Sequence, residues 1–573
     1  MAGMDGPHAS VSLALAGSGG AGVMTAGNLL LEAAAQAGYY ALMTRTSGPQ
    51  IRGGEAAAML RVSTFAGDGQ DDRFRILAAI DWQNVARFAA EIPLDAASLI
   101  IGDPSQGEPP DIFTRSGARY APVPFKNLAK QHKDAWPNMI ALGVLGALIG
   151  LPAEALERAV TKSMKKGVDA GIAAVRIGIA QAATLGAAFP LAKPSPAAPR
   201  WLITGNEAAG YGALRGGVRF VAAYPITPAT ELLEWLAPAL AKVGGTMVQA
   251  EDELASINMI LGASYGGVPA LTATSGPGLA LMIEALGLGV AAEIPAVVVD
   301  VMRTGPSTGI ATKSEQADLS LALYGLHGDA PHVVVAPNSL ADCVAATEWA
   351  VGLAESLQVP AIVLSDQYFG QARGVVDVPK QNGAAAMRSI AQASGDPYRR
   401  YAVTASGISP MALPGAPGMA YTADGLEHNE RGTPSSQAAD HSAQMDKRAR
   451  KLSQLDPGEH WASVEGDGEI AIVTFGSCTG PAREALARAR ADGVHARLIS
   501  VRLLSPAQPE RLLRALEGVK RVLVLEQNHS GQFLRYLRAE GSLNGEVKSL
   551  RRPGPLPFRP GEIHRELVDW SRA

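Results

Sequence analysis

Cysteine is nearly missing: the 573 residues include two, Cys343 and Cys478, far apart in the chain. A disulfide framework is thereby excluded, and so is an iron–sulfur cluster held by four cysteines of this chain. So thiol-poor a composition reads as cytosolic. A surplus of one charge is missing as well. The formal net charge is −4 and no long basic stripe stands out, which argues against a nucleic-acid binder. Long apolar runs are also absent. The longest, residues 279–302, is broken by Glu284, Glu293 and Pro295; it reads as a buried helix followed by a strand, not a membrane span. No Lys or Arg precedes the apolar residues 11–16, so the start makes a poor signal peptide.

What is present is the composition of a globular enzyme, 47% apolar and 18% charged, with 63 Gly and 38 Pro spread among turns. The length exceeds what one core supports and predicts roughly two to four domains. Residues 223–312 carry the densest pattern. Apolar runs end in Ala223-Tyr224-Pro225-Ile226-Thr227-Pro228, in Glu251-Asp252-Glu253, in Thr274-Ser275-Gly276-Pro277-Gly278, and in Arg303-Thr304-Gly305-Pro306-Ser307-Thr308-Gly309 with Thr312 beyond. Buried strands followed by polar turns place ligand-binding groups at the carboxyl ends of a parallel sheet. Pro225 and Pro228 restrict the backbone around Ile226 and Thr227, which gives the Thr227 hydroxyl a defined direction; the same pattern also serves a turn with a helix N-cap. Of the three clustered acids, one can cap the next helix and one can stay solvated. A buried carboxylate beyond those two must be paired or used.

Ahead of this stretch, residues 11–16 lead into Gly17-Ser18-Gly19-Gly20-Ala21-Gly22 and a helical pattern. Strand, glycine turn and helix let backbone N–H groups approach a phosphate; the alternative is a tight turn that needs glycine for packing. A second polar turn, residues 46–55, includes Arg52, whose guanidinium suits phosphate or merely caps the turn. Lys193-Pro194-Ser195-Pro196-Ala197-Ala198-Pro199 reads as a semi-rigid linker. Periodicity weakens over residues 376–466, with Met411, Leu413, Met419 and Tyr421 as possible anchors. Three apolar strands separated by amphipathic helices then predict a compact final domain. In it, the Gly476-Ser477 turn and Glu526-Gln527-Asn528 read as scaffold. His327, between Gly325 and Gly328, is read as structural.

The four motifs of residues 223–312, in this order, closely resemble the α subunit of the 2-oxoacid:ferredoxin oxidoreductases, which are thiamine diphosphate enzymes. The two polar turns of the first 190 residues resemble the γ subunit of the same family, and fusion of γ before α is a known arrangement there. The resemblance implies an α/β protein of three parallel-sheet domains: a γ domain (1–190), a Pro/Ala linker (191–200), a pyrimidine-binding domain (201–375), an irregular connection (376–466) and a transketolase C-terminal-like domain (467–573). It implies Glu253 as the cofactor-activating glutamate, and Thr227, Arg303 and Thr312 as holders of the substrate carboxylate. Tyr224, Pro225, Ile226, Ser275 and Gly276 become contacts to thiamine diphosphate. Gly17, Ser18, Gly19, Gly20, Gly22 and Arg52 become contacts to coenzyme A as co-substrate. No residue of this chain is assigned to a metal.

In that family a β subunit holds the diphosphate with Mg²⁺ and the iron–sulfur cluster, and electrons pass to ferredoxin. This chain has no Gly-Asp-Gly followed at a suitable distance by Asn, and no cysteine quartet, which fits that division of labour. A dimer of αβ heterodimers is expected, with no nucleic acid and no membrane involved. The expected substrate is 2-oxoglutarate, with pyruvate and branched-chain 2-oxoacids as alternatives. Two rivals stand beside this reading: a nonoxidative thiamine decarboxylase or synthase, and a noncatalytic nucleotide-binding module. The first requires the missing Mg²⁺ signature in the same chain. The second leaves the acidic cluster and Thr227 without a role.

Overall fold

The computed structural model describes residues 7–48, 54–195, 198–379, 387–392, 397–541 and 543–572. The chain forms two compact units, one of residues 1–204, 371–378 and 558–565, the other of residues 205–370, 379–557 and 566–573.

The first unit holds an eight-stranded sheet. It is mixed rather than parallel, and chain connectivity explains the difference. Strand Glu55–Ser63 lies between Ser10–Ser18 and Tyr40–Ser47 and runs antiparallel to both. The link between Tyr40–Ser47 and Glu55–Ser63 is only residues 48–54, too short for the crossover of about a dozen residues that a parallel pair requires. On the far side of Ser10–Ser18 the strands Ile76–Ala79, Leu99–Gly102 and Arg119–Pro122 follow in parallel. The sheet also recruits Arg200–Thr204 and Arg373–Asp377, paired antiparallel to each other. The expected domain boundaries at residues 201 and 375 therefore shift, because both segments complete the first sheet. Residues 558–565, expected in the last domain, also belong to this unit: Gly561 N donates to Asp72 Oδ1 at 2.7 Å and Arg559 Nη2 to Glu91 O at 2.8 Å.

In the second unit a seven-stranded sheet runs Leu503–Ser505, Val333–Val335, Pro360–Asp366, Ala296–Met302, Ala270–Thr274, Phe220–Ala223, Thr246–Gln249. All neighbours are parallel except the first pair. Its central strands are apolar end to end because helices cover both faces. Strand Ala296–Met302 is buried at every position, and Asp300 is the one charged residue in it. A five-stranded sheet, ordered Ala462–Gly466, Ala496–Val501, Ile470–Thr474, Arg521–Glu526, Glu546–Arg551, carries most of the last 110 or so residues. Its first strand begins ahead of the expected boundary at 467.

Between these two sheets, the stretch expected to be irregular contains the helix Ala438–Ser453, held down chiefly by charge. Glu293, 1% exposed, accepts from Lys447 Nζ at 2.6 Å and Lys451 Nζ at 2.5 Å. Arg400 Nη2 donates to Glu293 O at 2.8 Å, and buried Arg388 pairs with Glu355 at 2.6 Å. Met411 is fully buried, and Leu413 packs against Gly267. Cations sealed from water are costly unless paired, so the geometry of this strap is tightly specified.

Candidate active site

Parallel neighbours deliver their carboxyl ends to one edge of the seven-stranded sheet. Phe220–Ala223 leads into Tyr224 to Pro228, Thr246–Gln249 into the acidic cluster, Ala270–Thr274 into Ser275, and Ala296–Met302 into Arg303. The three acids then separate by environment. Glu251 is exposed. Asp252 is the N-cap of helix Glu253–Tyr265, accepting from Ala255 N at 2.7 Å. Glu253 is the buried one, 6% exposed, and among the described residues no group hydrogen-bonds its carboxylate. Its position depends on Gly278. A Cβ there would stand 2.6 Å from Glu253 Oε1 and 2.0 Å from Thr274 Oγ1, so only glycine lets the second helix, Gly276–Ala291, pack this close.

Arg303 and Thr227 meet through the backbone: Arg303 Nη1 donates to Thr227 O at 2.5 Å. The Thr227–Pro228 peptide is cis, and Asn206 Nδ2 fixes Pro228 O at 2.8 Å. Arg303 Nε is buried without a partner, as is Ser275 Oγ at the start of the Gly276–Ala291 helix. No ion pair within 4.0 Å joins Arg303 to an acid among the described residues. Thr312 sits in the loop closed by Thr304 N donating to Lys313 O at 2.9 Å and Ile310 N donating to Thr304 O at 3.2 Å. Tyr224 is 42% exposed at the rim, with Pro225 and Ile226 half-buried beside it. His327 is exposed and packs near Gly287, outside the site.

Behind Arg303 lies a group of acids that sequence reasoning did not assign to the site. Asp300 is fully buried and both its carboxylate oxygens lack partners. Burial, reinforced by Asp318, holds its carboxyl well above the usual range. Asp318 is pushed up to about 7 by burial and by Glu315, with Arg303 opposing. Burial also raises Glu315 and lowers Arg303. Asp318 presses on Gly276, where a Cβ would stand 2.4 Å from Oδ1. One signal was legible: an aspartate inside the apolar strand Ala-Val-Val-Val-Asp-Val-Met.

The turn after Arg521–Glu526 grips this region. Gln316 Nε2 donates to Phe475 O at 2.8 Å, and Gln316 Oε1 accepts from Gln527 N at 2.8 Å. Gln532 Nε2 donates to Ala317 O, and Ser320 N donates to Gln532 Oε1, both at 2.8 Å. Glu526 itself is buried as a helix cap, accepting from Phe533 N at 2.7 Å and Leu534 N at 3.1 Å.

In the first unit the glycine loop connects strand Ser10–Ser18 to helix Val23–Gln36, with Gly22 left-handed at φ 77°. Ser18 N donates to both Asp81 oxygens at 3.1 Å and Ser18 Oγ to Asp81 Oδ2 at 2.8 Å. Those donors are engaged by a carboxylate, so Ser18 offers no free N–H to a phosphate in this arrangement. Gly17, the last strand residue but one, lies against Asp81, while Gly19 and Gly20 are exposed and a Cβ on Gly20 meets nothing within 4 Å. Arg52 lies outside the described residues.

Three family models match the chain in series. "Pyruvate ferredoxin/flavodoxin oxidoreductase" covers residues 12–181, "Pyruvate flavodoxin/ferredoxin oxidoreductase, thiamine diP-bdg" covers 211–447, and "Pyruvate:ferredoxin oxidoreductase core domain II" covers 468–551. Subunit alpha of 2-oxoacid:ferredoxin oxidoreductase 2 from Aeropyrum pernix is 31% identical over 93% of this chain and 93% of its own. The 2-oxoglutarate synthase subunit KorA of Methanothermobacter marburgensis is 33% identical, with 64% of this chain spanning 98% of that one. Among solved structures, the 2-oxoglutarate:ferredoxin oxidoreductase of Magnetococcus marinus, with 2-oxoglutarate, coenzyme A and succinyl-CoA bound, is 34% identical. It superimposes with a TM-score of 0.89 over 98% of this chain and 99% of its own.

Proposed function

The chain belongs to the 2-oxoacid:ferredoxin oxidoreductase family as an α-type subunit, and on that premise we propose that it serves the oxidative decarboxylation of 2-oxoglutarate. The products are succinyl-CoA, carbon dioxide and reduced ferredoxin. One observation carries this reading: a buried arginine with an unpartnered Nε stands at the same sheet edge as a buried glutamate, Glu253. A protein that used neither group would bear the cost of burying both.

The residues fit the pyrimidine end of thiamine diphosphate. Glu253 rests against Gly278, and the unpartnered Ser275 Oγ, buried Gly276 and the rim residues Tyr224, Pro225 and Ile226 complete that wall. When bound, the cofactor supplies the electron sink for loss of carbon dioxide. Glu253 holds a proton at the pyrimidine ring nitrogen. Arg303, fixed on Thr227 O, turns its Nε edge to the substrate carboxylate, and the Thr227 and Thr312 hydroxyls hold that carboxylate from the sides. Preset donors of this kind act by positioning and by charge. In the first unit, Gly17, Ser18, Gly19, Gly20 and Gly22 approach coenzyme A, and Ser18 must exchange its Asp81 partner to take part.

The remaining parts come from a β subunit that holds Mg²⁺ and the diphosphate, together with the iron–sulfur cluster. Both thiols of this chain are buried and two cannot furnish the four ligands of a cluster, which supports a cluster carried by the partner. Exposed Leu254 and Met259 on the Glu253 helix and Leu281 on its neighbour give that partner an apolar face beside the site. The assembly is a dimer of αβ heterodimers in the cytoplasm. The test is kcat/KM across 2-oxoglutarate, pyruvate and branched-chain 2-oxoacids on the reconstituted complex. Preference for 2-oxoglutarate supports the assignment, and preference for another 2-oxoacid overturns it.

A further inference from the structure

Asp318 is placed with more care than a helix end requires. It opens the short helix Leu319–Tyr324 but makes no capping hydrogen bond there. The chain on either side is pinned, Ala317 O and Ser320 N both by Gln532 and Gln316 by Gln527 and Phe475. The carboxylate is thereby pressed onto Gly276, at the start of a helix that has no acid in its first turn. Asp318 Oδ2 is buried with no partner, like both oxygens of Asp300 and Nε of Arg303. Arg303 and Asp318 act on each other through space, yet no ion pair within 4.0 Å joins them. Two opposite charges held close but apart, each with an unused hydrogen-bonding edge, are arranged for something to come between them.

We propose that Asp318 is a positioning residue for Arg303: ionised, it is the arginine's internal counter-ion, and on taking a proton from solvent it releases the guanidinium to an anionic 2-oxoacid. The inference rests on the substrate-binding role given to Arg303 above. Its charge logic is simple. With Asp318 ionised, the pair is neutral and an incoming carboxylate meets an acid. With Asp318 protonated, Arg303 presents a full positive charge. The charged and titratable groups facing Asp318 are Glu315 on its own loop, Arg303 after the neighbouring strand and Asp300 within it; Gln532, from the last sheet's helix, is uncharged. Asp300 keeps its proton because burial and Asp318 both oppose its ionisation, which leaves Asp318, near 7, as the group that titrates.

Substrate uptake then takes up one proton. On the reconstituted complex, KM for the 2-oxoacid should rise with pH, by up to about tenfold per unit above the Asp318 midpoint, while kcat changes less. Asp318→Asn should flatten that rise. Glu315→Gln removes a charge that raises Asp318, so it should move the midpoint to lower pH and keep the slope. Should Asp318→Asn fail to fold, Glu315→Gln decides, together with infrared titration of the wild-type chain, in which a protonated-carboxyl C=O band should vanish as pH rises through neutrality. A flat wild-type KM profile, an unchanged slope in Asp318→Asn, an unmoved midpoint in Glu315→Gln or a missing band overturns the proposal. Arg303→Lys separates this failure from that of the site. If it leaves every 2-oxoacid KM unchanged, the role of Arg303 is wrong; if it raises KM while Asp318→Asn matches wild type, only the proton coupling is wrong.

Discussion

At the scale of single residues, the site rests on carboxylates that differ only in what surrounds them. Glu251, Asp252 and Glu253 are adjacent in sequence, yet one is solvated, one caps a helix, and one is buried against a glycine with no hydrogen-bond partner. Glu253→Gln keeps the shape but supplies a mixed donor and acceptor where the proposed role calls for a carboxyl group. Turnover of the reconstituted complex should fall by roughly 10²-fold or more, the scale of acid–base contributions, with an unchanged circular dichroism spectrum. Near-normal turnover would remove Glu253 from the chemistry. The motif residues around it were legible because backbone rules fix them: Pro225 and Pro228 announce a restrained turn, and Gly276 and Gly278 a close approach. Asp318 and Gln316 were not. Their roles come from Gln527 and Gln532, more than 200 positions away, and no local pattern encodes such a contact.

At the scale of elements, the parallel strands of the second unit were legible as unbroken apolar runs, whereas the first sheet's mixed directions followed from one short connection. Charge hid the strap. Helix Ala438–Ser453 looks polar in sequence because Lys447 and Lys451, the residues that bury it, are the kind usually found in water. Glu293 lies at about 2, below its ordinary value despite burial, because Lys451, Lys447 and Arg400 surround it. A lowered carboxylate gives stability that is complete above its unfolded value and is lost as pH falls toward 2. Burial pushes Lys447 down to about 7 against the pull of Glu293; that cost is complete below 7 and is relieved as pH rises toward the lysine's ordinary value. Glu293→Gln should therefore destabilise the strap by ~3–5 kcal/mol near neutral pH, the scale for breaking a buried pair. The loss should shrink at alkaline pH, where Lys447 no longer carries charge. Amide hydrogen exchange in the Ala438–Ser453 helix reads this directly, and equal protection in variant and wild type would contradict it. The glycine loop of the first unit poses a separate question. A Cβ on Gly20 meets nothing within 4 Å, so Gly20→Val leaves packing intact and tests only whether a ligand approaches. We expect a raised KM for coenzyme A with 2-oxoacid decarboxylation still measurable; an unchanged KM would make the loop a packing device.

At the scale of the whole molecule, the chain offers one side of a reaction centre. It brings a buried glutamate and a buried arginine to one sheet edge, and the proposed function gives them the pyrimidine and the substrate carboxylate. Among the described residues no group of His, Cys, Asp and Glu is arranged to hold a metal ion, and two buried thiols cannot complete a four-ligand cluster. The helix that begins at Glu253 also carries exposed Leu254 and Met259, and the next helix carries exposed Leu281. Gly262, on the Glu253 helix, has open space where a side chain would be, which admits a close neighbour. An interface that must complete a catalytic centre is expected to be large and apolar, and these three exposed side chains accord with that. The purified chain should accordingly be colourless, bind no stoichiometric iron and fail to reduce a low-potential acceptor with any 2-oxoacid. Adding the β subunit should bring brown colour and activity together. Replacing Met259 by Glu should weaken that association while leaving the isolated chain folded, because the side chain is already 42% exposed. Full activity from the chain alone, with thiamine diphosphate and Mg²⁺ supplied, would mean that the missing half of the site lies within it after all.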